Sequence, residues 1–368
     1  MIFLISIFSV AHVAFYLILS WKWSRMRPFG DGERSSFSII IPVRNEEKNI
    51  EKILDDLQNQ TIDQSKFEVI VVDDFSTDST RKILKNLEES IDLNLKILSL
   101  SDPAVHGKKN ALTMGIKEAR NEIILTTDAD CRLGERWIES YSYSFTPEVQ
   151  IVAGPVALEG DSLFSDLQRT EFAGLIGFGG VTLESNNPSM CSGANLAFKK
   201  KAFEEVGGYQ GNIGIPSGDD EFLLYDIMMK YPKSGRFLKS EFGTVRTKTQ
   251  PTFGSFWNQR SRWISKWKYN KNWKLRLIAV LIFTDYLLFL LAIVGTVFGY
   301  FTIVFLGIIF IIRLAANYSL LKQVSNFLHH SNVLGPLLLL QLFYPVHVLV
   351  MGIGSLFSKY TWKGRSYG

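Results

Sequence analysis

Apolar residues crowd the two ends of the chain, whereas the middle alternates short apolar runs with polar stretches. Residues 2–20 contain no Lys, Arg, Asp or Glu. At about 1.5 Å rise per residue, a helix of that length just spans a hydrocarbon core of about 30 Å. Positive charge follows this run, at Lys22, Arg25 and Arg27, with Trp21 and Trp23 at the boundary. A secretory signal would carry basic residues before its apolar stretch and a small-residue cleavage site after it. The observed order predicts a retained anchor, with the following domain in the cytosol by the positive-inside rule. A second apolar block, residues 277–312, has Asp285 as its single charge and is too long for one crossing. Two helices with a tight return near Gly299-Tyr300 fit it. A third segment, 333–357, is interrupted by Pro336 and Pro345. Four full crossings would leave the basic tail (Lys359, Lys363, Arg365) outside, against the charge rule. Either the last segment is re-entrant or interfacial, or the tail breaks the rule. Asp285 is expensive in hydrocarbon unless paired. A functional role and a solvated position near the cytosolic end are both open.

From 37 to about 249 the pattern reads β-α-β-α. Residues 38–41, 68–72 and 123–127 are fully apolar or β-rich runs, which suit a parallel sheet covered by helices. Ligands bind beyond the carboxyl ends of such strands, and polar clusters follow each run. These are Pro42-Val43-Arg44-Asn45-Glu46, then Asp73-Asp74-Phe75-Ser76-Thr77-Asp78, then Asp128-Ala129-Asp130. The 368 residues allow one sizeable catalytic domain plus extra segments, and 46% are hydrophobic. A net charge of +4 gives no pervasive basic field, so no nucleic-acid partner is expected. Two cysteines, Cys131 and Cys191, make neither a disulfide framework nor a zinc site, and read as ordinary reduced thiols.

Two carboxylates two residues apart after a buried strand, Asp128 and Asp130, can hold a hard divalent cation or bind hydroxyls beside it. Such a cation would bridge a nucleotide-sugar diphosphate and stabilise the departing charge. A chain of this length should show about one D-x-D by chance, so a solvated turn is the bland alternative. Asp73-Asp74 could accept hydrogen bonds from a nucleobase, while Ser76, Thr77 or Asp78 supplies a helix cap. Gly107-Lys108-Lys109 opens a helix, where a lysine and a helix N-terminus suit phosphate. Asp219-Asp220-Glu221 is either an acidic helix start or a set of repelling carboxylates with one raised pKa, fit for a general base. In a helix, Gln259, Arg262 and Trp263 share one face and could clamp phosphate and stack on an acceptor. Their surroundings (Trp257, Lys266, Trp267, Lys268, Lys271, Trp273, Lys274) read as an amphipathic segment on an anionic membrane surface.

The motifs IPVRNEE, VVDDFSTDST, GKKNAL, TTDADC, GDDE and QRSRW, in this order over about residues 37 to 275, resemble glycosyltransferase family 2, the inverting enzymes of GT-A fold. The likeness is nearest to membrane members such as ceramide and carotenoid glycosyltransferases and polysaccharide synthases, whose tails Trp362-Lys363-Gly364-Arg365 also resembles. The resemblance implies an α/β fold, a Rossmann-like mixed sheet that binds a nucleotide-sugar, with transmembrane helices at both ends. It divides the chain into an anchor (1–21), a cytosolic catalytic domain (37–249), an interfacial segment (250–275), two to three membrane helices (276–357) and a basic tail (358–368). It implies that Pro42, Arg44 and Glu46 line the nucleotide pocket and that Asp73 and Asp74 contact the base. Lys108 would lie by the diphosphate or ribose, and Asp128 would bind ribose or metal. Asp130 would ligate Mn2+ or Mg2+. Asp220 matches the catalytic base, with Asp219 beside it, and Gln259, Arg262 and Trp263 would close over pyrophosphate and acceptor. Two positions depart from the family pattern: Asp219, often Glu, and Arg44, usually aromatic or small. The expected reaction carries a sugar from a UDP- or GDP-sugar to a lipid acceptor, in a multi-pass protein of the cell or inner membrane. A processive polysaccharide synthase is the alternative, and a catalytically inactive scaffold a third. Oligomeric state is left open.

Overall fold

The computed structural model describes residues 1–27, 32, 34–102, 104–215, 217–354, 360–362 and 365–367. Two compact units emerge, one of residues 27–159 and 182–248, the other of residues 1–26, 160–181 and 249–368.

The first unit is built on a seven-stranded sheet. Its strands are β1 (Phe37–Val43), β2 (Phe67–Asp73), β3 (Leu95–Ser99), β4 (Ile123–Thr126), β5 (Ile151–Ala153), β7 (Leu196–Lys199) and β8 (Gly235–Phe237). They run in the order β3-β2-β1-β4-β7-β5-β8, while β6 (Val156–Glu159) pairs in parallel with β9 (Val245–Lys248). Strands β1 to β4 are mutually parallel, and β7 runs antiparallel to both β4 and β5. The three apolar runs read from sequence are therefore the core strands, each extended or trimmed by a residue or two. Every residue of β2 is buried, including Glu68, whose carboxylate accepts the Ser38 hydroxyl and the Arg120 N–H, each at 2.6 Å.

Twelve helices complete the described chain. α1 (Ile2–Arg25) precedes the sheet, and α2 (Ile50–Gln58), α3 (Thr80–Ser90), α4 (Lys108–Glu118) and α5 (Trp137–Tyr141) fall between its strands. Next come α6 (Leu163–Glu184), α7 (Lys200–Glu205), α8 (Asp219–Lys230) and α9 (Phe253–Ser265). The last three are α10 (Trp273–Val297), α11 (Ile303–Phe327) and α12 (Leu334–Gly354), followed by a hairpin of β10 (Tyr360–Trp362) and β11 (Arg365–Tyr367). The cap of α3 is Ser79, and Asp78, one of the expected capping residues, accepts the Thr80 N–H at 3.0 Å.

Among the described residues four helices are long and apolar enough to cross a membrane by length and composition: α1, α10, α11 and α12. The tight return expected at Gly299-Tyr300 falls at Gly299, with φ 78°. The sequence block, however, stopped at 312, one residue before Arg313, while α11 continues to Phe327. That residue answers the question of Asp285, which is buried rather than solvated. Arg313 grips both Asp285 oxygens at 2.7 and 2.8 Å. His12 of α1 meets Asp285 at 2.9 Å and Asn317 at 2.8 Å, and Asn317 donates to Gln341 of α12 at 2.9 Å. One polar cluster thus joins four otherwise apolar helices, where unpaired groups would be costly. Two further findings differ from the sequence expectation. Residues 160–181 group with the helical unit rather than with the sheet. Lys359, Lys363 and Gly364 of the expected basic tail lie outside the described residues.

Candidate active site

The loops after β1 and β2 are latched together. Arg44 donates through Nη1 to the carbonyls of Asp74 and Phe75 at 2.6 and 3.0 Å. The Asn45 N–H reaches the Ser76 hydroxyl at 2.9 Å, and the Glu46 N–H reaches the Thr80 hydroxyl at 2.8 Å. Glu46 is buried and its carboxylate accepts the Asn49 amide at 2.7 Å. Pro42 sits in β1 opposite Val72. Asp73, buried, accepts the Ser76 N–H and pairs with Arg81 at 2.6 Å, so its carboxylate fastens the turn to α3. Asp74, equally buried, accepts the Gly107 N–H at 3.0 Å and thereby ties the end of β2 to the start of α4.

That tie delivers Lys108. Its ammonium lies 2.7 Å from Asp128, at the end of β4, and 3.3 Å from Asp219, in the first turn of α8. Burial alone would lower the lysine pKa, but Asp128 and Asp219, with Asp220 behind them, outweigh it and hold the ammonium well above its usual range. Burial would raise Asp219, yet Lys108 and Lys109 hold it below the usual carboxylate range. The acid run therefore does not repel itself into a raised pKa at Asp219. A lysine from another element neutralises it first.

Asp220 accepts the Gly193 N–H at 3.0 Å and the Glu221 N–H at 2.8 Å. Two glycines shape this corner, Gly218 by its backbone and Gly193 by the close approach of its neighbours. Gly218 starts α8 with φ 80°, a left-handed conformation cheap only for glycine. A Cβ on Gly193 would lie 3.0 Å from an Asp219 oxygen and 3.3 Å from the Lys108 ammonium. Gly193 carries no motif by itself; only the antiparallel pairing of β7 with β4 brings it here. Lys109 is also internal, with its ammonium on the carbonyls of Asn212 and Ile215 at 2.7 and 2.8 Å. Asn195, fully buried, accepts from Trp137 and Tyr141 at 2.9 and 2.8 Å and donates to the carbonyls of Pro155 and Gly243. Gly193 and Asn195 carry no signal in the sequence because their partners are remote in it, and Lys109, named there beside Lys108 as suited to phosphate, is turned inward instead.

The structure thus brings Asp74, Lys108, Asp128, Asp219 and Asp220 into one connected cluster at the strand ends, with exposed Asp130 beside Asp128. Gln259, Arg262 and Trp263 belong to α9 of the helical unit, on the helix the spacing predicted.

A family model described as glycosyl transferase family 2 matches residues 38–207, and one described as glycosyl transferase family group 2 matches residues 123–362. The chain belongs to glycosyltransferase family 2. Glycosyltransferase AglE of Haloferax volcanii is 30% identical to this family 2 chain over 192 residues, covering 50% of this chain and 58% of AglE. Poly-beta-1,6-N-acetyl-D-glucosamine synthase of Staphylococcus aureus is 26% identical over 248 residues, covering 63% of this chain and 54% of the synthase. The chain spans just over half the length of these curated relatives. Among solved structures, mannosyltransferase PcManGT from Pyrobaculum calidifontis in complex with GDP-Man and Mn2+ superposes with a TM-score of 0.63 at 19% identity, over 97% of this chain and 99% of that one. The likeness establishes the GT-A fold, with candidate membrane-spanning helices at the N-terminus and in the C-terminal region.

The family implies a divalent cation, and the donor set fits one. Asp128 and Asp130 offer carboxylate oxygens, the ligands hard cations take. The Cys131 thiol beside them is pushed well up by burial, then by Asp128 and Asp130, so it stays a protonated bystander. Among the described residues no three His, Cys, Asp or Glu gather as a ready cage. A cation here would complete its shell with phosphate oxygens and water, as Mg2+ commonly does.

Proposed function

We propose that this family 2 chain is an inverting glycosyltransferase that moves a sugar from a UDP- or GDP-sugar to a membrane lipid, with its sheet unit in the cytosol. The observation that carries the reading is the cluster of Lys108, Asp128, Asp219 and Asp220 where the parallel strands end. Asp220 is the base. Held by the Gly193 N–H, it takes the proton of an acceptor hydroxyl as that oxygen bonds to the anomeric carbon and the bond from that carbon to the diphosphate breaks. Lys108 lies by the diphosphate and offsets its charge. Mn2+ or Mg2+, held by Asp130 and Asp128, would supply Lewis-acid stabilisation of the leaving group. Arg44, Glu46, Pro42, Asp73 and Asp74 build the nucleotide side, the two aspartates mainly by fixing its loops. Gln259, Arg262 and Trp263 contribute contacts to pyrophosphate and acceptor, a role that rests on the motif's resemblance.

Asp220→Asn tests the base directly. Donor binding, followed by calorimetry, should survive, while transfer should fall at least about 10²-fold. Turnover at the normal rate would remove Asp220 from the mechanism. A panel of UDP- and GDP-sugars offered to the purified chain in lipid identifies the donor. Similarity to a polysaccharide synthase favours a second reading, a processive polymerase. One sugar on an organic-extractable lipid supports the first reading, and a long polymer supports the second.

A further inference from the structure

Arg260, inside the QRSRW motif, is 4% exposed. Its Nε and Nη2 donate to the two oxygens of Glu171 on α6 at 3.2 and 2.5 Å, and its Nη1 donates to the Gln259 side-chain carbonyl at 3.1 Å. Its Cζ lies over the Trp263 ring, 4.2 Å from the centroid, and over that of Phe256 at 4.7 Å. Phe172, next to Glu171, packs on Trp263 with ring centroids 6.0 Å apart. From α12, His347 comes within 4.0 Å of Glu171 and tilts against Phe256 at 5.7 Å. Helix spacing sets Trp263 and Phe256 on the face of Arg260, at i+3 and i−4, whereas adjacent Gln259 needs a side chain that reaches back. One guanidinium therefore touches two of the three motif side chains while a carboxylate from another helix fixes it.

We propose that Arg260, locked by Glu171, is the positioning residue that sets Gln259 and Trp263 for transfer. The assignment rests on the reading that this motif acts in the reaction. Only a planar fork can bond Glu171 twice, hold Gln259 and stack on an indole together, so lysine is no substitute.

The test uses the full chain in lipid nanodiscs, labelled with 5-fluorotryptophan, the Trp263 resonance being assigned from Trp263→Phe. Arg260→Lys keeps a cation beside Glu171 but loses the fork and the plane. The Trp263 resonance should move, and kcat should fall about tenfold or more, with donor KM changed no more than about threefold. Because a lone buried charge can unfold the helix pair, a second variant, Glu171→Leu with Arg260→Met, removes both charges. It should unfold at the wild-type temperature and show the same kcat loss. Exchanging the charges, Glu171→Arg with Arg260→Glu, restores an ion pair but offers Gln259 and Trp263 a carboxylate. A merely structural pair would be rescued; a positioning residue would not. Wild-type kcat with an unmoved Trp263 resonance, in Arg260→Lys or in the exchanged pair, overturns the proposal. Wild-type turnover in both Gln259→Ala and Trp263→Phe would instead remove the motif from the reaction, and the resonance would still report whether Arg260 holds Trp263.

Discussion

At the scale of single residues, the decisive feature is one ammonium set among three aspartates. The signs of the shifts give its pH behaviour. Asp219 is depressed, so its contribution is present above the ordinary carboxylate pKa of about 3.9 and lost as pH falls through its lower folded value. Lys108 is raised, so its contribution is complete below about 10.4 and lost only as pH rises through its higher folded value. The pair should therefore add stability that is flat from about pH 5 to 9 and declines in acid. Lys108→Met should cost about 1–3 kcal/mol at neutral pH, between exposed and buried ion pairs, and should move the acid limb upward. Thermal unfolding across pH measures both, and an unshifted acid limb would contradict the assignment. Gly193→Ala should keep the fold but cut turnover by about 10- to 100-fold, because its Cβ crowds Asp219 and Lys108. Wild-type turnover in that variant would mean the crowding is absorbed elsewhere. The aspartates were legible in the sequence because strand-end polar clusters stand out against apolar runs. Their division of labour was not. Asp73, buried at the strand end, pairs with Arg81, eight positions away, and Gly193 matters only through the register of β7.

At the scale of elements, the core strands were legible because short, mostly apolar, β-rich runs admit few alternatives in an α/β chain. The candidate membrane helices were legible in approximate position, but neither their number, two or three after residue 276, nor their extent was fixed. A hydropathy window ends at a charge, whereas a helix ends only when its backbone bonds do, so Arg313 closed the predicted block although α11 carries on past it. The assignment of α6 was hidden for another reason. Its sequence mixes Asp166, Arg169 and Glu171 with apolar residues, and those charges are satisfied within the helical unit, Glu171 by Arg260. The buried cluster yields a prediction at this scale. Asp285→Asn leaves the Arg313 guanidinium facing a neutral amide and should destabilise the chain by about 3–5 kcal/mol. Asp285→Leu with Arg313→Met, volume kept and both charges gone, should recover most of that loss. Melting temperatures of the two variants in one detergent decide it. Equal losses in both would mean that His12, Asn317 and Gln341 need the ion pair as a template.

At the scale of the helical unit, the contacts of α12 bear on the topology that charge counting left open. Ile5 packs with Leu288, Phe289, Ala292 and Ile309, whereas Trp23 meets Phe327 with ring centroids 5.5 Å apart. α1 and α11 therefore run parallel and end on one side, and α10 begins on that same side, immediately after α9. α12 starts there too, following α11 by a short loop in which Asn332 donates to Asp166 of α6 at 2.9 Å. It reaches the depth of Asn317 at Gln341 and of Tyr286 at Tyr344. Beyond Pro345 its contacts lie with α9 and the first half of α10. His347 returns to Phe256 of α9, Gly352 packs on Phe283, nearer the start of α10 than Tyr286, and β10 lies against α9. Length and composition qualify α12 as a crossing, whereas its contacts with α9 and the first half of α10 favour a re-entrant course, for which Pro345 inside the helix offers a place to bend. The chain after α12 is thus expected on the side of Lys22 and Arg25, in keeping with the positive-inside rule. The uncharged return between α10 and α11 then faces the other side. Reporter fusions read this directly. Alkaline phosphatase, active only outside, should be silent at the C-terminus and active at the α10–α11 return, and a cytosol-folding fluorescent protein should give the opposite pair. Phosphatase activity at the C-terminus would make α12 a full crossing and leave its contacts with α9 unexplained.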